Sequence, residues 1–341
     1  MGRKRIWANL LHLGTNMWSD RLNTPEHPCK TIPKNVKDTY AFGRTDVMRF
    51  DDRVWEDLTA KSASIGMNMI VIDLGEGLEY PSHPELAIRG SWSPDRLKRE
   101  LARLRGLGLE PIPKMNFSCC HDAWLGEYRK MTSTSTYYRV CADLIRDALR
   151  LFESPRFIHL GMDEEVVELN KAYDYAHGRQ GELWWHDLNF LVREVEKHGS
   201  RAIVWSDGNW YMDDFVARMP KSVVQSNWYY WKNVAEIEPK ADLPRPKDEK
   251  RPRYAGQNPT VELRTFLELD RAGFDQLPSA TNWNSRENMY QVAEYCTRRI
   301  NPDRLLGFLF ETWERTAAYK SCLDKHREFF EIVEPIIRKF G

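Results

Sequence analysis

Eight short apolar stretches recur along the chain, each followed by a longer amphipathic one, and this alternation limits the fold more than any other feature. The stretches cover residues 6–13, 68–74, 109–115, 156–160, 202–206, 223–228, 276–281 and 305–311, each apolar or β-branched enough for a strand buried on both faces. Helical periodicity fills the intervals at 51–65, 93–107, 137–152, 182–198, 213–219, 263–272, 285–300 and 320–339. Ser93, Pro94 and Asp95 make a helix start: a capping hydroxyl, a proline whose missing N–H costs nothing there, and an acid near the positive helix end. Gly66, Gly106, Gly108 and Gly199 fall where helices must stop before the next strand. Strands separated by helices run parallel, so the expected fold class is α/β, a (β/α)8 TIM barrel, while no GxGxxG or P-loop pattern supports an open doubly wound sheet.

No Pro/Gly/Ser-rich linker or charge block divides the 341 residues, so the whole of 1–341 reads as a single catalytic barrel. The charged, Pro-rich stretch 232–259 reads as a loop excursion over the barrel mouth. Lys plus Arg and Asp plus Glu both number 50, a net charge of zero that offers no field for nucleic acid or an anionic membrane. No run of about 18 apolar residues occurs, and Met1 to Trp18 lacks the apolar core of a signal peptide. The six cysteines (Cys29, Cys119, Cys120, Cys141, Cys296 and Cys322) show no CxxC pair and no framework spacing, so reduced thiols and a cytoplasmic location are expected. His12, His121 and His159 lack metal-ligand spacing, and neither a metal nor any other cofactor is expected. The sequence says nothing of oligomeric state.

A barrel of this kind does its chemistry in the loops beyond the strand C-termini. There the sequence places His12, Asn16, Glu76, Asn116, His121, Asp163, Glu164, Asp207, Trp210, the run Trp228-Tyr229-Tyr230-Trp231, Asn282, Trp283, Trp313 and Glu314. Carboxylates and tryptophans dominate. Aromatic faces suit the C–H face of a pyranose, and 13 Trp with 14 Tyr are available, although any one Trp can equally serve the core. Glycosidic hydrolysis needs a proton donor for the leaving oxygen and a group that offsets charge at the anomeric carbon. Asp163 and Glu164 are the candidate pair: side by side in a dry pocket they cannot both ionise easily, so one is expected to be pushed up and stay protonated. His159 precedes the strand end and reads as a buried strand histidine with a satisfied hydrogen bond, and Cys119 and Cys120 read as packing residues.

The segment Phe157-Ile-His-Leu-Gly-Met-Asp-Glu164 resembles the H-x-G-x-D-E motif of family 20 glycoside hydrolases, the β-N-acetylhexosaminidases. Tyr80-Pro-Ser-His-Pro-Glu-Leu86, Trp92-Ser-Pro-Asp95 and Pro111-Ile-Pro-Lys-Met-Asn-Phe-Ser-Cys-Cys-His121 look like that family's second loop, helix start and third strand. Val204-Trp-Ser-Asp207 and Gly307 with Trp313 look like its fifth and eighth strands. The resemblance implies removal of a terminal β-linked N-acetylhexosamine by substrate-assisted, retaining catalysis, in which the 2-acetamido oxygen attacks the anomeric carbon. Glu164 would protonate the leaving oxygen and later activate water, Asp163 would hold the acetamido N–H, and His121 would support the pair. Asn116, Trp205, Asp207, Trp228, Trp283, Trp313 and Glu314 complete the implied substrate-binding set. The family's first-strand arginine has no counterpart, with Asn9, His12 and Asn16 in that region. Trp283 stands near the place of a seventh-strand tyrosine, Glu314 follows Trp313 without the usual spacer, and the auxiliary N-terminal domain is not found. Two alternatives remain: a glycosidase of the same barrel acting on a sugar without an acetamido group, with Asp163 or Asp207 as nucleophile or base, and a non-catalytic carbohydrate-binding barrel.

Overall fold

A computed structural model describes residues 4–22, 43–167, 170, 173–246 and 258–341. Eight parallel strands form the barrel: β1 (Ile6–His12), β2 (Met69–Asp73), β3 (Glu110–Lys114), β4 (Phe157–His159), β5 (Arg201–Trp205), β6 (Val224–Ser226), β7 (Ser279–Thr281) and β8 (Gly307–Glu311). Seven of the eight expected stretches contain one, and β5 begins one residue before the stretch 202–206. The sheet runs β6-β5-β4-β3-β2-β1-β8-β7, and the parallel bridges Gln225 to Gln276 and Trp228 to Ser279 bring its two edges together. The barrel is uneven: β1 has seven residues and β2, β3, β5 and β8 five each, whereas β4, β6 and β7 have three.

Around the barrel lie α1 (Asp52–Ser64), α2 (Pro94–Gly106), α3 (Ser135–Leu151), α4 (Gly181–Glu196), the single turns α5 (Gly208–Tyr211) and α6 (Phe215–Arg218), α7 (Val234–Ala241), α8 (Pro259–Arg271), α9 (Asn288–Arg299) and α10 (Lys320–Phe340). The Ser93 hydroxyl accepts the Arg96 N–H as the expected cap, and Gly66, Gly108 and Gly199 take positive φ just past helix ends. Gly106 is instead the last residue of α2, two residues before Gly108. On α2 the period brings Leu97, Leu101 and Leu104 to one fully buried face, each contributing about 1.5–3 kcal/mol of apolar transfer. The expected excursion at 232–259 contains α7, and its residues 247–257 lie outside the described ones, as does Cys29. Cys119, Cys120, Cys141, Cys296 and Cys322 are free and buried. Among the described residues no helix is long and apolar enough to cross a membrane.

Strand alternation builds the site. Ile70 and Ile72 face the helices, while Met69 and Val71 join Ala8, Leu10, Ile112, Phe157 and Ile203 in the barrel interior. At the last inward position of six strands the character changes: His12, Asp73, Lys114, His159, Trp205 and Glu311 cap the apolar layers with a largely polar ring, all at most 2% exposed. Lys114 and Trp205 of that ring line a pocket.

Candidate active site

The pocket opens at the C-terminal ends of the strands and has a volume of about 590 Å³, within the range of small-molecule sites. Its wall includes Asn116, His121, Asp163, Glu164, Trp205, Trp228, Trp283 and Trp313, which come from the ends of β3, β4, β5, β6, β7 and β8.

The carboxylate pair sits on a contorted turn after β4. Gly161 has φ +70°, and a Cβ there would fall 2.0 Å from Asn116 Oδ1, so only glycine lets the end of β3 pack against this turn. Met162 (φ 70°) and Glu164 (φ 51°) then adopt left-handed backbone without being glycine. Such geometry persists only where surrounding contacts over-determine it. They do so here. Asn116 Oδ1 accepts the N–H groups of Ser118 (3.0 Å) and Met162 (3.3 Å), while its Nδ2 donates to Asp163 Oδ1 at 2.8 Å. Behind the pair, the buried Glu165 carboxylate accepts Arg179 Nε and the Cys119 N–H, each at 3.0 Å, tying the loops after β3 and β4 together.

His121 Nε2 lies 3.1 Å from Glu164 Oε2 and 3.3 Å from Asp163 Oδ2. Burial alone would pull the imidazole down, but the charge and hydrogen bonds of the two carboxylates outweigh it and raise His121 to about 10. For Asp163, burial likewise opposes ionisation, yet His121 and Asn116 overcome it and bring the carboxyl down to about 2. The expectation that crowding would push up one member of the adjacent pair meets this cation: Asp163 is held ionised, and the carboxyl driven well above the ordinary range is Asp207, through burial and the charge of Asp163.

One pH dependence follows. His121 rises from 6.5 to about 10 on folding, so its pairing stabilises fully below about pH 6.5 and is lost as pH climbs through about 10. Asp163, lowered from 3.8 to about 2, gives the acid counterpart, present above about 3.8 and lost as pH falls toward 2. The two shifts describe one interaction and count once. His121→Gln should therefore flatten the decline in melting temperature between about pH 7 and 10. If the variant's melting temperature falls as steeply as the wild type's, another group is responsible.

Aromatic rings enclose the rest. Trp228 stacks on Tyr230 at 4.7 Å, Tyr230 meets Trp313 at 6.3 Å, and Trp313 meets Trp205 at 6.1 Å, a continuous box. Trp283, 40% exposed, and Trp231, 39% exposed, stand at the rim. Trp313 (φ 57°), like Glu164, is a left-handed non-glycine residue on the pocket wall.

Two expected site residues lie elsewhere. Glu314 is buried outside the wall, its Oε2 facing Cys322 Sγ of α10 at 3.3 Å, because consecutive side chains after β8 point to opposite sides and Trp313 takes the pocket. Asp207 lies behind the turn rather than on the wall: its Oδ2 accepts the Glu164 N–H at 2.8 Å. Asn16, Glu76 and Asn282 also serve the frame, Glu76 accepting the N–H groups of Thr15 (2.7 Å) and Asn16 (3.0 Å), and Asn282 Nδ2 donating to Glu328 at 2.9 Å. His159 Nδ1 accepts the Gly161 N–H at 3.0 Å while its Nε2 has no partner among the described residues; burial, aided by Lys114, lowers it to about 3.

The sequence reading passed over Lys114, which lines the pocket and pairs with the buried Asp73, itself 3.4 Å from His12 Nδ1. A lysine at the last inward position of a strand otherwise carrying Ile112 inward was the available signal. It also passed over Glu311, whose Oε1 accepts the Tyr230 hydroxyl at 2.9 Å and the Ser279 hydroxyl at 2.7 Å; burial raises this carboxyl to about 8. Met17, Trp18 and Asn284 join the wall from loops without periodicity.

Among the described residues two groups bring metal-ligand atoms within 4.8 Å of one another, His121 with Asp163 and Glu164, and Cys119 with Asp122 and His177. In the first, the two carboxylates favour the protonated imidazole, a proton that a metal would have to displace. In the second, the Arg129 guanidinium binds Asp122 Oδ1 at 2.9 Å and lies 3.4 Å from His177 Nδ1, a positive charge where a cation would have to sit.

The architecture is thus an α/β barrel with a histidine-bridged carboxylate pair above β4 and an aromatic box facing it. No protein-family model matches the sequence, and no curated protein matches it. Solved structures do share the fold. The β-N-acetylhexosaminidase from Bacteroides fragilis NCTC 9343 is 13% identical with a TM-score of 0.61, over 97% of this chain and 65% of that one. The GH20 exo β-N-acetylglucosaminidase from Vibrio harveyi is 12% identical with a TM-score of 0.59, over 98% and 54%. Dispersin B is 13% identical with a TM-score of 0.54, over 85% and 95%. The chain spans less than two thirds of the first two proteins and nearly all of the third, and the likeness expected from the motifs is present in the fold.

Proposed function

We propose that the protein is a glycoside hydrolase that removes a terminal β-linked N-acetylhexosamine with retention of configuration. The observation that carries this is the His121-bridged Asp163 and Glu164 pair set opposite the aromatic box in one pocket. The substrate's acetamido oxygen attacks the anomeric carbon as the bond to the leaving oxygen breaks, and the Glu164 carboxyl gives its proton to that oxygen. Asp163, held ionised by His121 and Asn116, accepts the acetamido N–H and offsets the charge that develops on the cyclic oxazolinium. The Glu164 carboxylate then takes a proton from water, whose oxygen attacks the anomeric carbon and reopens the ring. Trp205, Trp228, Tyr230 and Trp313 exclude water around the acetamido group and sugar face.

The reading with a non-acetamido sugar loses one of its carboxylates, because Asp207 sits behind Glu164 and off the pocket wall. The test is hydrolysis of chromogenic β-GlcNAc, β-GalNAc, β-glucoside and β-galactoside. Turnover confined to the two acetamido sugars supports the proposal, and preference for the plain hexosides overturns it.

A further inference from the structure

We infer that Asp207 is a positioning residue that holds Glu164 in its left-handed backbone conformation and thereby aims the acid at the leaving oxygen. This rests on the reading of Glu164 as proton donor, but the geometry is independent of it. Glu164 has φ 51°, a conformation that costs a non-glycine residue on the order of 1 kcal/mol and needs an outside restraint. Asp207 supplies one from the neighbouring strand. It is fully buried just past the end of β5, and its Oδ2 accepts the Glu164 N–H at 2.8 Å. Within its own turn the Glu164 carbonyl accepts the Val166 N–H at 2.7 Å, while the Glu164 N–H leaves the turn for Asp207. Without Asp207 the amide would be buried and unpaired, or would rotate toward water and take the side chain with it.

Asp207 Oδ1 is buried and has no partner among the described residues, and burial together with the charge of Asp163 raises the carboxyl well above its usual range. An asparagine keeps a carbonyl oxygen at the place of Oδ2 to accept the Glu164 N–H, and should reproduce the restraint without a charge. This sets Asp207 apart from a nucleophile or base, either of which needs the ionised group.

The experiment compares Asp207→Ala, Asp207→Asn and Glu164→Gln on two aryl β-N-acetylglucosaminides, one with an activated nitrophenol and one with a poor phenol leaving group. Misaiming the acid hurts the reaction that needs protonation most. Asp207→Ala should lower kcat on the poor leaving group by about thirtyfold or more, and by several-fold less on the activated one, with KM near wild type. Asp207→Asn should recover most of that loss. A loss in Asp207→Asn as large as in Asp207→Ala overturns the inference, as does an Ala variant whose loss is equal on both substrates or falls entirely in KM. Should the Ala variant not fold, the Asn variant alone decides. Glu164→Gln separates the two readings: if it shows no leaving-group dependence the acid assignment fails, whereas if it does and Asp207→Ala does not, only the role of Asp207 fails.

Discussion

Glu164→Gln is expected to lower kcat on an unactivated β-N-acetylhexosaminide by at least about a hundredfold, roughly 2.7 kcal/mol of barrier. The substitution keeps the side chain's length and an oxygen for the His121 Nε2–H, which now lies 3.1 Å from the carboxylate. Asp163 keeps its own contacts with His121 and Asn116, so little stability should be lost. The loss of rate then reports chemistry rather than collapse of the turn. Measured across leaving groups of falling acidity, the deficit should grow, because only a well-stabilised phenolate departs without a proton. A near-wild-type rate on the poorest leaving group would remove Glu164 from the mechanism.

The second large effect concerns Asp163. If the acetamido group is the nucleophile, a thiazoline mimic of the cyclised intermediate should bind at least about a hundredfold more tightly than the product sugar. Asp163→Asn should erase most of that advantage and lower turnover in parallel, since the carboxylate charge matters most when the positive ring forms. His121 sharpens the expectation. With Asp163 neutral, the imidazolium loses the carboxylate 3.3 Å from its Nε2, so the variant loses a counter-charge for both the histidine and the intermediate. Isothermal titration with the thiazoline and the product sugar, on wild type and variant, provides the comparison. A thiazoline no tighter than product, with an activated 2-fluoro sugar trapped on a carboxylate, would replace substrate assistance by an enzymic nucleophile.

The barrel was legible because buried parallel strands are short and largely apolar or β-branched, so each of the eight stretches overlaps its strand even though β4, β6 and β7 proved only three residues long. Strand ends were the harder matter. Periodicity tells which face a residue takes inside a strand and nothing about it one residue beyond, which is why Trp313 and Glu314 were both assigned to the pocket although only Trp313 reaches it. Asp207 illustrates a different limit: its place after β5 was readable, but a carboxyl that accepts a neighbouring backbone N–H looks in sequence the same as one that faces substrate. Lys114 and Glu311 were passed over because the polar ring is assembled from single positions on separate strands. No local pattern marks it.

The unequal strand lengths bear on how the molecule breathes. β1, β2, β3 and β8 make a continuous staircase of long ladders, whereas three of the four strands from β4 to β7 span three residues. The carboxylate turn and, Trp313 after β8 apart, the aromatic box hang from that second half. Opening free energy follows local cohesion, so amides of β4, β6 and β7 should exchange with deuterium through small fluctuations while those of β1 and β2 wait for global unfolding. A sugar that spans the pocket from Glu164 to Trp228 would rivet the looser half, and its protection should appear there first, leaving the staircase almost unchanged.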